Sequence, residues 1–249
     1  MQIFFLTLGD FVLYSLKACK YALTTFRFDL IVHQILFIGN KSVGLIFLTS
    51  IFTGMVLCFQ SYEGLKIING YLLVGPLVAL SLAKEIGPVF TSIILAGRCC
   101  SAITAEISSM KVTDQIDALE VMGISPIYYL SVPRILALML CLPCLSLIFI
   151  FIANIGSYFI GTQLLGISSE VFFLKLRNFV FYENIVECLI KSVCFGFLLG
   201  LISTYQGLKS SGGAEGVGIA TNKSVVWSMS TIFIFDFFLT TLLIQTLYA

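Results

Sequence analysis

The sequence predicts an all-α integral membrane protein: one helix lying on the membrane surface, then five membrane-spanning helices. Three observations carry that class. Hydrophobic residues make up 59% of the 249 and charged residues only 11%, less than half the roughly 25% charged fraction of a soluble domain. Mean hydropathy is +1.05. Uncharged runs recur along the chain at lengths near the ~20 residues that a spanning helix needs. The 14 Lys+Arg against 13 Asp+Glu leave a net charge of +1, so no basic field is available to hold nucleic acid. The same composition excludes a disordered chain and a disulfide-stapled secreted module.

The elements follow in order. The N-terminus, MQIFFLTLGDFVLYSLKACK, has no basic stretch before its apolar residues and no A-x-A-like cleavage site, so it does not read as a signal peptide. Asp10, Lys17 and Lys20 interrupt its apolar residues, which predicts an amphipathic interfacial helix over about 3–30. Residues 1–40 form the interfacial region and 42–247 the transmembrane core of a single domain. Ser42–Tyr62 carries no charge and is the first span. Ile67–Ala83 is also uncharged but contains Gly75-Pro76, and Lys84, Glu85 and Gly87-Pro88 follow it. It reads as a broken, partly re-entrant segment, with Ile86–Ser109 as the second span. The uncharged runs Ile135–Ser169 and Ser192–Leu208, and Ser224–Ala249 with Asp236 as its sole charge, supply the rest. Five spans result, at about 42–62, 86–109, 133–160, 187–207 and 225–247. A cytoplasmic N-terminus then puts eight Lys/Arg on inner segments and four on outer ones, the bias the positive-inside rule expects.

The inner loop MKVTDQIDALEVMGISPIYYLSVP, Met110–Pro133, carries the most information. Val112, Ile116, Leu119 and Met122 share one face at helical spacing. Asp114, Asp117 and Glu120 make an acidic stripe beside it, and Gly123 and Pro126 supply a stop signal. A short amphipathic helix here either lies on lipid or fills a groove on a partner. Three carboxylates disfavour an anionic lipid surface and favour a protein partner with basic residues.

Ionisable groups at membrane depth are costly and mark function or buried pairing. Arg98, Glu106, Lys191 and Asp236 are the four candidates. Arg98 and Glu106 are eight residues apart, about 12 Å along a helix, too far to pair directly. Asp236 needs a proton or a cation, and Lys191 is available if spans four and five touch. Gly196 and Gly200 form a GxxxG close-packing signal. Cys141-Leu-Pro-Cys144 has CxxC spacing inside an apolar run with no nearby His, so it reads as packing, and no metal site is expected. The glycines of 207–218 lack the GK[ST] ending of a phosphate loop. No catalytic residue is expected, and ATP hydrolysis has no seat in this chain.

The block KEIGPVFTSIILAGRCCSAITAEISSMKVTDQIDALEVMGISPIYYLSVPRILA resembles the MlaE (MlaE/YrbE-type) permeases, the membrane subunits of MCE-associated lipid-transporting ABC systems. YQGLKSSGGAEGVGIATNKSVVWS, FDFFLTTLL and GLIFLTSIFTGMVL extend the resemblance over about 40–247. It implies a homodimeric permease with an interfacial helix and five spans, in which the loop helix at about 111–123 is a coupling helix seated on a cytoplasmic ATPase. Val112, Asp114, Ile116, Asp117, Leu119, Glu120 and Met122 would form that contact. ATP and Mg would bind the ATPase, and an MCE-domain protein would carry the lipid, a phospholipid, on the outer side. The family pattern also has Glu, Lys and Asp at the matching intramembrane places. Phe52, Met55, Leu57, Phe59, Tyr71 and Leu77 are the expected cavity wall. The expected location is a bacterial inner membrane, or alternatively a plastid inner envelope. An ion-gradient-driven carrier of an amphiphile is the alternative function. Against it, five spans do not halve into repeats, and the acidic loop helix has no use there. An intramembrane enzyme is disfavoured, since the one histidine, His33, has no HExxH or GxSxG context.

Overall fold

The computed structural model describes residues 2–24, 28–67, 70–170, 172 and 182–247. Arg27, Lys175 and Arg177, which entered the charge balance above, lie outside them. The elements are α1 (Gln2–Thr24), α2 (Phe28–Lys66), α3 (Tyr71–Val112), α4 (Gln115–Val121), α5 (Ile127–Gln163), α6 (Tyr182–Leu208) and α7 (Gly213–Leu247). No strand occurs among the described residues. Five helices (α2, α3, α5, α6 and α7) are long and apolar enough to cross a membrane. The chain is an all-α membrane protein.

Two boundaries differ from the sequence expectation. The surface segment was expected to run to about residue 30, with 1–40 interfacial. Instead α1 ends at Thr24, and 28–41 forms the first turns of α2. Leu30-Ile31-Val32 and Ile35-Leu36-Phe37-Ile38 are as apolar as the span itself, so nothing there ends a helix. At about 1.5 Å per residue, the 39 residues of α2 reach nearly twice the ~30 Å hydrocarbon thickness.

The second difference lies at 67–88. The expected break between Ala83 and Ile86 is absent, and Tyr71–Val112 is one helical element. Its backbone widens into a π-helical turn at Leu82–Ile86 and again at Ala96–Cys100. Pro88 explains the first. It has no N–H to give the Lys84 carbonyl four residues back, and the extra residue of a π turn absorbs the mismatch without ending the helix.

The chain forms two compact units. Unit 1 comprises Met1–Asn40, Ser92–Cys141 and Cys194–Ile234, and unit 2 comprises Lys41–Thr91, Leu142–Val193 and Phe235–Ala249. In unit 1, Tyr14 and Ala18 of α1 pack with Ile135 of α5 and with Leu201 and Tyr205 of α6. The GxxxG of α6 is used there. A Cβ on Gly196 would stand 2.6 Å from the Leu138 oxygen, and one on Gly200 would stand 2.7 Å from Ile135 Cα. In unit 2 the same device joins α2 to α5. Gly54 faces the Ala153 carbonyl and Gly156 faces the Ile51 carbonyl, each closer than any side chain permits.

Candidate functional site

The loop helix lies in unit 1. α3 ends at Val112, with the Thr113 N–H and hydroxyl both bonded to the Ser109 carbonyl. Asp114 then takes a left-handed backbone, φ 56°, a conformation Asp tolerates better than most residues. It is the turn that starts α4. The far end closes as a Schellman motif. Gly123, at φ 73°, donates to the Glu120 carbonyl and Ile124 to that of Leu119, both at 2.9 Å.

The turn at Asp114 divides the apolar face read from the sequence. Val112 belongs to α3, not to the loop helix. Ile116 is 4% exposed and packs inward, while Leu119 is half-buried. The outward apolar groups are Val121, 89% exposed, and Met122, 65% exposed, at the C-terminal tip. Asp114, Asp117 and Glu120 are exposed. Periodicity counted across 112–122 placed Val112 with Met122 and passed over Val121.

α1 is fastened beside this helix. Tyr14, buried, donates to Thr204 Oγ1 at 2.8 Å, and Phe11 meets Tyr205 edge-on at 5.1 Å. Asp10 pairs with Lys209, just past the end of α6. Burial pushes the Tyr14 hydroxyl above its ordinary pKa, and the Asp10 carboxylate raises that of Lys209. A cleft of about 640 Å³ opens among these elements, lined by Asp10, Tyr14, Lys17, Lys111, Asp117 and Glu120 with neighbouring apolar groups.

Also in unit 1, Glu106 pairs with Arg134 at 2.8 Å. The arginine side chain is 5% exposed and the glutamate 48%. The guanidinium also donates to the Leu130 carbonyl at 2.7 Å, in the π turn Ile127–Ser131. Arg134, one of the basic residues counted on the inner side, was not assigned as the partner of Glu106 from the sequence. Arg98 donates to the Ile38 carbonyl at 3.3 Å and lies over the Phe37 ring.

Unit 2 holds the second charged centre. Lys191 is fully buried in α6. Its ammonium donates to the Lys84 carbonyl and to Glu85 Oε1, each at 2.8 Å. Glu187, one turn earlier in α6, lies at 3.3 Å, and Asp236 of α7 at 3.7 Å. Thr240 donates to the same Glu85 oxygen at 3.1 Å. Lys191 was available to Asp236 only if spans four and five touched, and the structure sets the two 3.7 Å apart. Glu85 and Glu187 were not assigned to this centre. Glu85 looked like a loop charge because Gly87-Pro88 follows it. Glu187 gave one usable signal, the i,i+4 spacing to Lys191.

The six expected wall residues lie on α2 and on the first turns of α3. Phe52, Met55 and Phe59 share a face of α2 at i, i+3, i+7 spacing, but Leu57 lies off it. Phe52, Phe59, Tyr71 and Leu77 are exposed. An apolar cavity of about 530 Å³ in unit 2 is lined by residues including Ala79, Ala83, Ile150, Asn154, Tyr158 and Phe172. Among the described residues no group of His, Cys, Asp or Glu is arranged to hold a metal ion.

Known proteins share this sequence pattern. The family description Permease MlaE matches residues 31–242. A probable ABC transporter permease of Rickettsia typhi is 37% identical over 240 residues, covering 96% of this chain and 93% of the relative. One from Synechocystis is 37% identical over 212 residues, 85% of this chain and 81% of its own. The Arabidopsis thaliana protein TRIGALACTOSYLDIACYLGLYCEROL 1, chloroplastic, is 37% identical over 207 residues, 83% of this chain and 59% of its own. With five apolar spanning helices and a family match over most of its length, the chain is a membrane permease of the MlaE family.

Proposed function

We propose that this chain is the transmembrane subunit of an ABC system that moves phospholipid between a bilayer and an MCE-type lipid-carrier protein, driven by a separate ATPase. The observation that carries the reading is the tip of α4. Val121 and Met122 stand out to solvent beside Asp114, Asp117 and Glu120, on a helix held at both ends by backbone caps. Such a tip offers apolar knobs to a groove and carboxylates to a basic rim, the pattern of helix-in-groove docking. The ATPase would bind ATP and Mg and push on α4. The relatives named as ABC permeases support a transport role, and the Arabidopsis relative's name, that of a glycolipid, supports a lipid cargo.

A second copy completes the subunit in this reading. In the most apolar stretch of α7 only 11% of residues are buried, and in that of α2 28%, against 56% for α6. Phe233, Phe237, Leu242, Phe47 and Phe52 remain exposed, a surface for acyl chains and for a partner protomer. The N-terminus lies in the cytoplasm and the membrane is a bacterial inner membrane, with a plastid inner envelope as the alternative.

The test is affinity purification of the tagged chain from its native membrane, with mass spectrometry of proteins and lipids. Recovery of a P-loop ATPase, an MCE-domain protein and phospholipid is the expected result. A clean homo-oligomer without ATPase, from membranes in which other ABC complexes stay intact, would overturn it in favour of a gradient-driven carrier.

A further inference from the structure

The cleft beside α1 in unit 1 holds charges of both signs that do not close on one another. Of the side chains lining it, Lys209 is paired with Asp10 and lies over the Tyr205 ring. The Lys111 ammonium donates to the Leu208 carbonyl, which uses one of its three donors. Lys17 of α1 and the carboxylates of Asp117 and Glu120 on α4 line the same space of about 640 Å³. Among the described residues no ion pair joins Lys17 or Lys111 to either carboxylate.

One wall of this cleft runs out onto apolar surface. Asp10, Tyr14 and Lys17 recur at i, i+4, i+7 on α1 and line the cleft, whereas Val12 and Leu16 are exposed beside them. Leu13 belongs to both surfaces, lining the cleft while 60% exposed. A ligand that follows this wall passes from a seat with both charge signs onto an apolar helix face. That division matches an amphiphile whose headgroup is itself a zwitterion.

We propose that the cleft binds the headgroup of an aminophospholipid from the leaflet against which α1 lies. The phosphate meets Lys17 and Lys111, the primary ammonium meets Asp117 and Glu120, and the acyl chains run along Val12, Leu13 and Leu16. A headgroup with a phosphate alone brings a like charge to the two carboxylates, which selects against it. The bound lipid ties α1 to α4, the helix proposed above to dock the ATPase. The site rests on α1 lying at the membrane surface, and on neither the cargo nor the ATPase.

Hydrogen exchange of the full chain, without its ATPase, tests the site in nanodiscs of phosphatidylcholine, whose quaternary ammonium has no N–H to donate. Adding phosphatidylethanolamine should slow exchange over residues 9–22 and 113–126 several-fold, and adding phosphatidylglycerol should slow it less. Lys17→Gln should weaken the response to both lipids. Asp117→Asn combined with Glu120→Gln should remove the difference between them. Equal responses of the wild-type chain to the two lipids, no response to either, or responses unchanged in the variants would each overturn the proposal. So would equal slowing by dissolved phosphoethanolamine, the mark of a soluble zwitterion, or protection that only added ATPase confers, the mark of a protein partner. The wild-type comparison needs no variant, so poor insertion of one leaves the test intact. Ethanolamine-selective protection in a chain that recovers no ATPase from its membrane would refute the transport reading and leave the lipid site standing.

Discussion

Glu106→Leu separates the cost of a buried charge from the value of an ion pair. The pair is lopsided: Arg134 is 5% exposed and Glu106 48%. Removing the partner of a buried charge costs about 3–5 kcal/mol. Water reaching the space left by the half-exposed glutamate moves this site to the lower end, about 2–3 kcal/mol. The guanidinium keeps only the Leu130 carbonyl, at 2.7 Å, among its described acceptors. The opposite deletion, Arg134→Met, leaves a carboxylate that can turn into water and costs about 1 kcal/mol or less. The double variant removes both charges and replaces them with apolar volume, a change often neutral at buried pairs.

Thermal unfolding of the four proteins in one detergent checks this order. At about 2–4 °C per kcal/mol for a chain of this size, Glu106→Leu should lower Tm by about 4–12 °C. Arg134→Met should lower it by no more than about 4 °C, and the double variant should sit near wild type. Equal losses from the two single variants, or a double loss equal to their sum, would refute the argument from burial.

Three further outcomes follow from the same geometry. Asp117→Lys and Met122→Asp should each reduce co-purification of the ATPase about tenfold or more, since the first reverses a charge on the acidic face of α4 and the second puts a charge on its apolar tip, while membrane insertion is unchanged; retention at wild-type level would remove α4 as the docking surface. Gly200→Val places a branched side chain where even a Cβ lies 2.7 Å from Ile135 Cα, so it should cost about 1–3 kcal/mol, seen as a Tm drop that Gly218→Val, with open space around it, does not show. Alkaline pH should release α1. Tyr14 and Lys209 have folded pKa values above their ordinary 10.0 and 10.5, so the stability they give is complete below those values and is lost as pH rises through the folded ones. Hydrogen exchange over residues 9–22 should therefore accelerate above about pH 10, less steeply in Tyr14→Phe.

The class and number of spans were legible because apolar length is a direct record of the bilayer. Boundaries were less so, for identifiable reasons. Phe28–Lys41 looked interfacial because His33, Gln34, Asn40 and Lys41 dilute its hydropathy, although none of them ends a helix. At the loop helix the stop at Gly123 could be read because an αL cap has a residue signature. The start could not, because Asp114 supplies the left-handed turn in place of a glycine, and the apolar face was counted through it. Lys191 could be offered to Asp236 because charges are scarce in the expected spans, but only on the condition that spans four and five touch. Glu85 and Arg134 were missed because each sits beside a proline or a run end, where sequence reading assigns charges to loops.

Glu85 and Arg134 also share a structural setting, a π turn, and it shows how this chain keeps charge inside a membrane. A π turn displaces one residue from the regular ladder and turns carbonyls out of register. In α3 the displaced carbonyl is that of Lys84, which Pro88 cannot serve, and the Lys191 ammonium takes it at 2.8 Å. In α5 the Leu130 carbonyl, inside the π turn before Arg134, accepts the guanidinium at 2.7 Å. Each cation thus meets a main-chain dipole and a carboxylate together, Glu85 in one unit and Glu106 in the other. A carbonyl supplies negative potential without adding a titratable charge, so it stabilises the buried cation at no cost in further buried charge.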